Sequence, residues 1–241
     1  MVNATARPGL WPRLLHALKP ASRQHCLLCE GSARQALCTD CLQDLPWNPH
    51  YCQRCALPLA TTTALCAACM QGQPAQRSAI APLRYEFPVD HLVAGLKYHR
   101  HLENAPLLGR LLLDAVQDQP TPDLLLPVPL HSKRLAERGY NQAVEIARPL
   151  AKHFDRPLEI RLLERTRATA AQMTLDAEAR ARNPRGAFRL NTERLAELGA
   201  VQSVAIIDDV MTTGATLAEI AALLTKAGIA DIRIWIVART P

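Results

Sequence analysis

The chain has 241 residues, 49% of them hydrophobic, and a formal net charge of +6. That length supports one core of ordinary domain size plus a small appendage, so two unequal domains are expected. No stretch approaches the roughly 18 uninterrupted apolar residues of a membrane span. The opening residues are broken by Arg7, Pro8, Pro12, Arg13 and Lys19, which excludes membrane insertion and a secretory leader and points to a cytoplasmic protein.

From the N-terminus, Leu10, Trp11, Leu14, Leu15 and Leu18 fall at helical spacing, predicting a short packing helix in an extension over 1–25. All eight cysteines follow, as four Cys-x-x-Cys pairs: Cys26/Cys29, Cys38/Cys41, Cys52/Cys55 and Cys66/Cys69, separated by eight, ten and ten residues. Thiolates two residues apart grip one tetrahedral ion, so residues 26–72 read as a double zinc ribbon in a reducing compartment. Sequential pairing, first with second and third with fourth, suits the short connections better than an interleaved arrangement. Four thiolates close the coordination sphere, which makes the expected Zn²⁺ structural. Eight thiolates and two Zn²⁺ together subtract four charges, leaving about +2, so net charge is a poor guide to nucleic acid here. A local surplus survives: residues 129–190 hold thirteen Lys/Arg against seven Asp/Glu.

Past a linker at 71–74, residues 78–241 alternate strand and helix patterns. Strands are expected at 78–87, 123–127, 160–163, 188–190, 204–207 and 232–237. Helices are expected over 89–116, divided at Pro106; over 141–154, kinked or shortened at Pro149; and over 215–226, closed by Gly228. Residues 165–185 are basic, poor in large apolar side chains and without a period, which suits a mobile loop. The pattern is that of an α/β fold with a mostly parallel sheet flanked by helices.

The segment 204–216 carries the chemistry. An apolar strand ends in Asp208 and Asp209, and Thr212-Thr213-Gly214-Ala215-Thr216 leads into a helix. Free N–H groups and the positive dipole end at a helix N-terminus favour a phosphate, hydroxyls of Thr212, Thr213 and Thr216 add donors, and Gly214 permits close approach. The aspartates would repel that phosphate but accept hydrogen bonds from vicinal sugar hydroxyls. A sugar phosphate satisfies both halves of the segment.

From Cys26 onward the chain resembles the ComF/GntX family, phosphoribosyltransferase-fold proteins associated with competence for DNA uptake. The resemblance rests on the cysteine module, Leu-Lys-Tyr (96–98), Pro-Val-Pro-Leu (127–130), Arg-Gly-Tyr-Asn-Gln (138–142), Arg167 with Gln172, Arg182-Asn183, and Ile-Asp-Asp-Val-Met-Thr-Thr-Gly-Ala-Thr (207–216). It implies a type I phosphoribosyltransferase fold whose hood spans about 78–118 and includes Lys97 and Tyr98. It also implies that 5-phosphoribosyl-1-pyrophosphate (PRPP), with Mg²⁺, is held by Asp208, Asp209, Val210, Met211, Thr212, Thr213, Gly214, Ala215 and Thr216, the two aspartates being the catalytic pair. Lys133, Arg134 and Arg138 would meet pyrophosphate, and Arg167, Gln172 and Arg182 would sit on the closing loop.

One position departs from the family's 6-oxopurine enzymes, which carry a further acidic residue where Thr212 stands, and this argues against purine salvage. Three readings stay open. One is phosphoribosyl transfer to an acceptor that the sequence does not name. Another is a non-catalytic component of competence machinery that binds single-stranded DNA through the basic loop and the ribbons, with a competence helicase as a partner. A sensor of PRPP without turnover is a third.

Overall fold

The computed structural model describes residues 24–61, 63–72, 74–167 and 186–241. The chain divides into two compact units, ending at Asp44 and beginning at Leu45. In the smaller unit β1 (Gln24–His25) pairs antiparallel with β2 (Ser32–Ala33), and α1 (Thr39–Gln43) follows.

The larger unit opens with the second pair of cysteine knuckles and α2 (Ala67–Gln71), then builds one parallel sheet. Its order is β3 (Ser78–Ile80), β9 (Asp231–Arg239), β8 (Ser203–Met211) and β5 (Leu124–Pro127), with β4 (Leu83–Arg84) extending the β3 edge along β9. β8 and β9 are nearly continuous apolar runs because helices cover both faces, as parallel strands require. On one face Val204, Ile206, Ile232, Ile234 and Ile236 join Leu217, Ile220, Ala221 and Leu224 of α8 (Ala215–Lys226) in the main core. On the other, α4 (Asn104–Val116) and α6 (Gln142–Phe154) pack on β8 and β9, and Phe154 stacks on Trp235 with ring centroids 5.3 Å apart. Among the described residues no helix is long and apolar enough to cross a membrane.

Several boundaries differ from the sequence reading. The break between α3 (Val89–Tyr98) and α4 falls before Asn104, and Pro106 sits in the first turn of α4, where its missing N–H breaks no helical bond. Pro149 likewise does not end α6, which runs on to Phe154. The strand expected at 188–190 does not return to the main sheet: β7 (Phe188–Leu190) pairs antiparallel with β6 (Leu163–Arg165) in a separate hairpin. A helix the pattern did not reveal, α7 (Thr192–Leu198), starts where Asn191 Oδ1 accepts the N–H of Arg194 at 2.9 Å. At the C-terminus of α8, Gly228 adopts φ +91° and the N–H of Ile229 reaches the carbonyl of Leu224, the closure its sequence position predicts.

Candidate functional site

The cysteines form two sets, Cys26/Cys29/Cys38/Cys41 and Cys52/Cys55/Cys66/Cys69, and within each set the sulfurs lie within 4.8 Å of one another. Pairing is therefore sequential. The two knuckles repeat one backbone pattern: Glu30 N–H donates to Cys26 O and Ala56 N–H to Cys52 O, while Cys26 N–H meets Gly31 O and Cys52 N–H meets Leu57 O. The residue after the second cysteine takes a left-handed conformation in both, Glu30 at φ 59° and Ala56 at φ 54°.

Crowding of the sulfurs splits their proton affinities. Burial opposes ionisation of Cys26 and Cys52, but backbone N–H donors outweigh it and draw the two thiols down to about 6 and about 7. Burial first, and then the neighbouring sulfur of Cys52, push Cys55 up to about 11. A divalent ion removes this conflict by taking the place of the shared protons, and four sulfurs in tetrahedral reach fit structural Zn²⁺.

In the sheet, β8 continues through Asp208 and Asp209 to Met211, four residues beyond the expected end. The two carboxyl groups stay within reach of each other there, and Lys97 acts on both. Asp209 turns towards the face covered by α3, where it is 2% exposed and its Oδ2 lies 2.6 Å from Lys97 Nζ; its Oδ1 accepts the N–H of Val210 at 2.8 Å. Asp208 is half-buried, and its Oδ1 accepts the N–H of Asp209 at 2.9 Å. Its carboxyl is pushed well above the carboxylate range by its desolvated position and then by the charge of Asp209, with Lys97 opposing. Lys97 loses affinity for its proton through burial but regains more from Asp209, so the ammonium is held firmly.

The basic residues divide in the same way. Arg134, on α5 (Ser132–Arg138), and Asp208 both act electrostatically on Arg165, whose guanidinium lies 5.4 Å from the ring centroid of Phe188. Arg165 thus joins the site although only its neighbours were singled out in the sequence. Lys133 is exposed on α5. Arg138 is directed elsewhere, donating to Gln142 Oε1. The rest of its motif is a fastening: Tyr140 Oη donates to the carbonyl of Leu96, and Asn141 Nδ2 donates to Val128 O at 2.9 Å. These bonds tie the loop after β5 to the end of α3, which carries Lys97. Tyr98 is exposed beside Tyr85. Arg167 is exposed, and Gln172 and Arg182 lie outside the described residues.

Beyond Met211, Thr213 Oγ1 accepts the N–H of Ala215 at 3.4 Å, and Gly214 caps α8 at φ +78°. The left-handed φ is what requires glycine here; a Cβ would also press on the Met211 methyl, which can swing aside. Thr212, Ala215 and Thr216 line the same turn, half-buried.

A parallel sheet carrying paired acids and a threonine-glycine turn at its strand ends, joined to Cys₄ knuckles, defines a zinc-ribbon protein of phosphoribosyltransferase fold. In agreement, the double zinc ribbon domain matches residues 14–70 and the phosphoribosyl transferase domain matches residues 140–241. The chain is 35% identical over 226 residues to DNA utilization protein YhgH of Salmonella typhi, covering 89% of this chain and 96% of that protein. It is 34% identical over 224 residues to the protein of that name from Escherichia coli K12, and 32% identical over 223 residues to competence protein F of Haemophilus influenzae, with the same coverage. The chain belongs to the family of these DNA utilization and competence proteins.

Proposed function

We propose that the turn between β8 and α8 binds PRPP, with Mg²⁺, in a cytoplasmic protein of DNA utilization. The observation that carries this reading is that half-buried Asp208 stands on the strand that leads straight into the Thr212–Thr216 turn, which Gly214 caps into α8. The 5-phosphate meets the N–H groups and hydroxyls of the turn, the ribose hydroxyls meet Asp208, and pyrophosphate meets Arg134, Arg165 and Lys133. Asp209 serves indirectly, through the Lys97 ammonium that both neutralises it and anchors α3 over the site. Asp208 supplies an oxygen donor of the kind Mg²⁺ takes, and the bound ion would neutralise pyrophosphate charge. If transfer occurs, the bond from C1 of the ribose to pyrophosphate breaks as the acceptor's nucleophile bonds to C1, and the acceptor's proton passes to solvent.

Calorimetry with PRPP and Mg²⁺ tests this. Asp208→Asn should weaken binding by roughly tenfold or more, since it removes a charged acceptor from a sugar hydroxyl pair. Equal affinity in wild type and Asp208→Asn would remove the reading. The names of the relatives and the basic surplus of 129–190 support a second reading, single-stranded DNA binding with a competence helicase as partner. It requires an affinity for oligonucleotides that falls linearly with salt on logarithmic axes, and a flat salt profile would dismiss it.

A further inference from the structure

The second cysteine knuckle is built into the sheet. Four consecutive carbonyls of its loop accept hydrogen bonds from the rest of the larger unit: Gln53 from Ala79 N–H at 2.8 Å, Arg54 from Gln76 Nε2 at 3.1 Å, Cys55 from Arg239 Nε at 3.2 Å, and Ala56 from Asn48 Nδ2 at 3.1 Å. Ala56 is wholly buried in the core that also holds Met211 and the apolar face of α8, and Tyr51 and Cys55 pack against it. A loop that merely decorated the surface would leave such carbonyls to water.

One of these contacts reaches the ligand-binding end of the sheet. Arg239, the last residue of β9, is 7% exposed, and its guanidinium spans two loops. While Nε holds Cys55 O, Nη1 donates to Met211 O at 3.2 Å and to Thr240 O at 2.5 Å, and the N–H of Thr240 also donates to Met211 O at 3.1 Å. Met211 is the last strand residue before the Thr212-Thr213-Gly214 turn, and its side chain lies directly against Gly214. Burial opposes the charge of Arg239 and prevails, with the sulfurs of Cys55, Cys66, Cys52 and Cys69 countering only part of it. Four thiolates on one divalent ion keep a net negative charge, so the loaded site gives the guanidinium both a fixed carbonyl and a counter-charge.

We infer that the second metal site sets the position of the threonine-glycine turn, with Arg239 as the positioning residue that links the two. Loss of that ion frees the Cys55 carbonyl, releases the guanidinium and loosens Met211 and the turn behind it. The first cluster contributes none of these contacts. The consequence for PRPP rests on the ligand reading above, whereas the link between metal and turn does not.

Amide hydrogen exchange of the ligand-free full chain decides the point, read on peptides covering 210–218, with zinc content measured in parallel. Cys69→Ser and Arg239→Met should each accelerate exchange over 212–216 by roughly tenfold or more, the effect of opening a local hydrogen-bonded unit. Arg239→Lys keeps the charge without the fork and should fall between Arg239→Met and wild type. Cys41→Ser, in the first cluster, should leave those amides at the wild-type rate. Unchanged exchange in folded Cys69→Ser and Arg239→Met, or equal acceleration in Cys41→Ser, would overturn the link. Should the variants not fold, wild type treated with a colorimetric zinc chelator decides instead. Exchange over 212–216 must then rise with loss of the second ion, and a rise that tracks the first overturns the link. Calorimetry with PRPP on the same samples separates the two claims: failure of wild type to bind PRPP sinks the ligand reading and leaves the exchange result standing.

Discussion

Lys97→Met isolates the charge logic of the site, because methionine keeps an apolar stem of similar length and removes only the ammonium. The variant leaves Asp209, 2% exposed, with its Oδ2 no longer facing a cation 2.6 Å away. Stripping one partner from a buried pair costs about 3–5 kcal/mol, since the remaining charge is uncompensated. The Lys97 side chain is 21% exposed, so solvent screens part of this, and about 2–3 kcal/mol of lost stability is expected. The pH dependence follows from Asp208, whose carboxyl already stands well above the carboxylate range because of burial and Asp209, with Lys97 opposing. Without Lys97 the aspartate pair holds a proton more tightly folded than unfolded. Stability then falls as pH rises through the interval between the two affinities, because the folded state must give up a proton the unfolded chain has already lost. In wild type the raised proton affinity of Lys97 keeps its contribution intact until the pH passes above the ordinary lysine range, about 10.4. Urea unfolding should therefore show a larger deficit for Lys97→Met at about pH 8 than at about pH 5. A deficit below about 0.5 kcal/mol, or one equal at both pH values, would refute the argument.

Other perturbations probe the supports. Gly109→Ala would drive a Cβ into the carbonyl of Ile146 and the ring of Pro149, so α4 and α6 must separate; a loss of about 1–3 kcal/mol in chemical unfolding is expected, and a neutral result would contradict the packing. Gly214→Ala puts a side chain on a left-handed φ of +78° and displaces the Met211 methyl, and should lower the thermal midpoint while weakening PRPP in calorimetry. Elemental analysis should find two zinc ions per chain, with Cys26→Ser and Cys52→Ser each losing one and keeping the other. Asn141→Ala removes both the cap on Ala143 N–H and the tie to Val128 O, and about 1–2 kcal/mol should disappear from unfolding measured by circular dichroism.

How much of this was legible beforehand depends on the range of the interaction concerned. The cysteine spacing announced two Cys₄ sets because a metal knuckle is a local object, and the apolar runs at 204–207 and 232–237 announced the central strands because parallel strands are buried on both faces. The turn at 212–216 was equally local. The hairpin of β6 with β7 was not, since its partners are separated by the long basic segment, and nothing in a three-residue strand states which sheet it joins. The Arg-Gly-Tyr-Asn-Gln motif was visible as a pattern, but its task was hidden. The family resemblance implied a pyrophosphate contact for Arg138, whereas its guanidinium donates to Gln142, four residues on.

The paired aspartates show the limit most clearly. Adjacent in sequence, they invite a single role, and the phosphate turn that follows makes a shared sugar contact the natural expectation. The strand runs on past them, however, and it buries Asp209 while leaving Asp208 half-buried. Asp209 pairs with Lys97 of α3 at 2.6 Å, whereas Asp208 stays partly open to solvent. Lys97 in turn sits one residue beyond Leu96, whose carbonyl is held by Tyr140. The Leu-Lys-Tyr, Arg-Gly-Tyr-Asn-Gln and Asp-Asp segments therefore form one constellation: the second fastens the first so that its lysine can neutralise the inner acid. In the proposed reading, the outer acid is the one that meets the sugar. Three motifs spread over more than a hundred residues are thus constrained together, and a change in Tyr140 should be felt at Asp209 before it is felt anywhere else in the site.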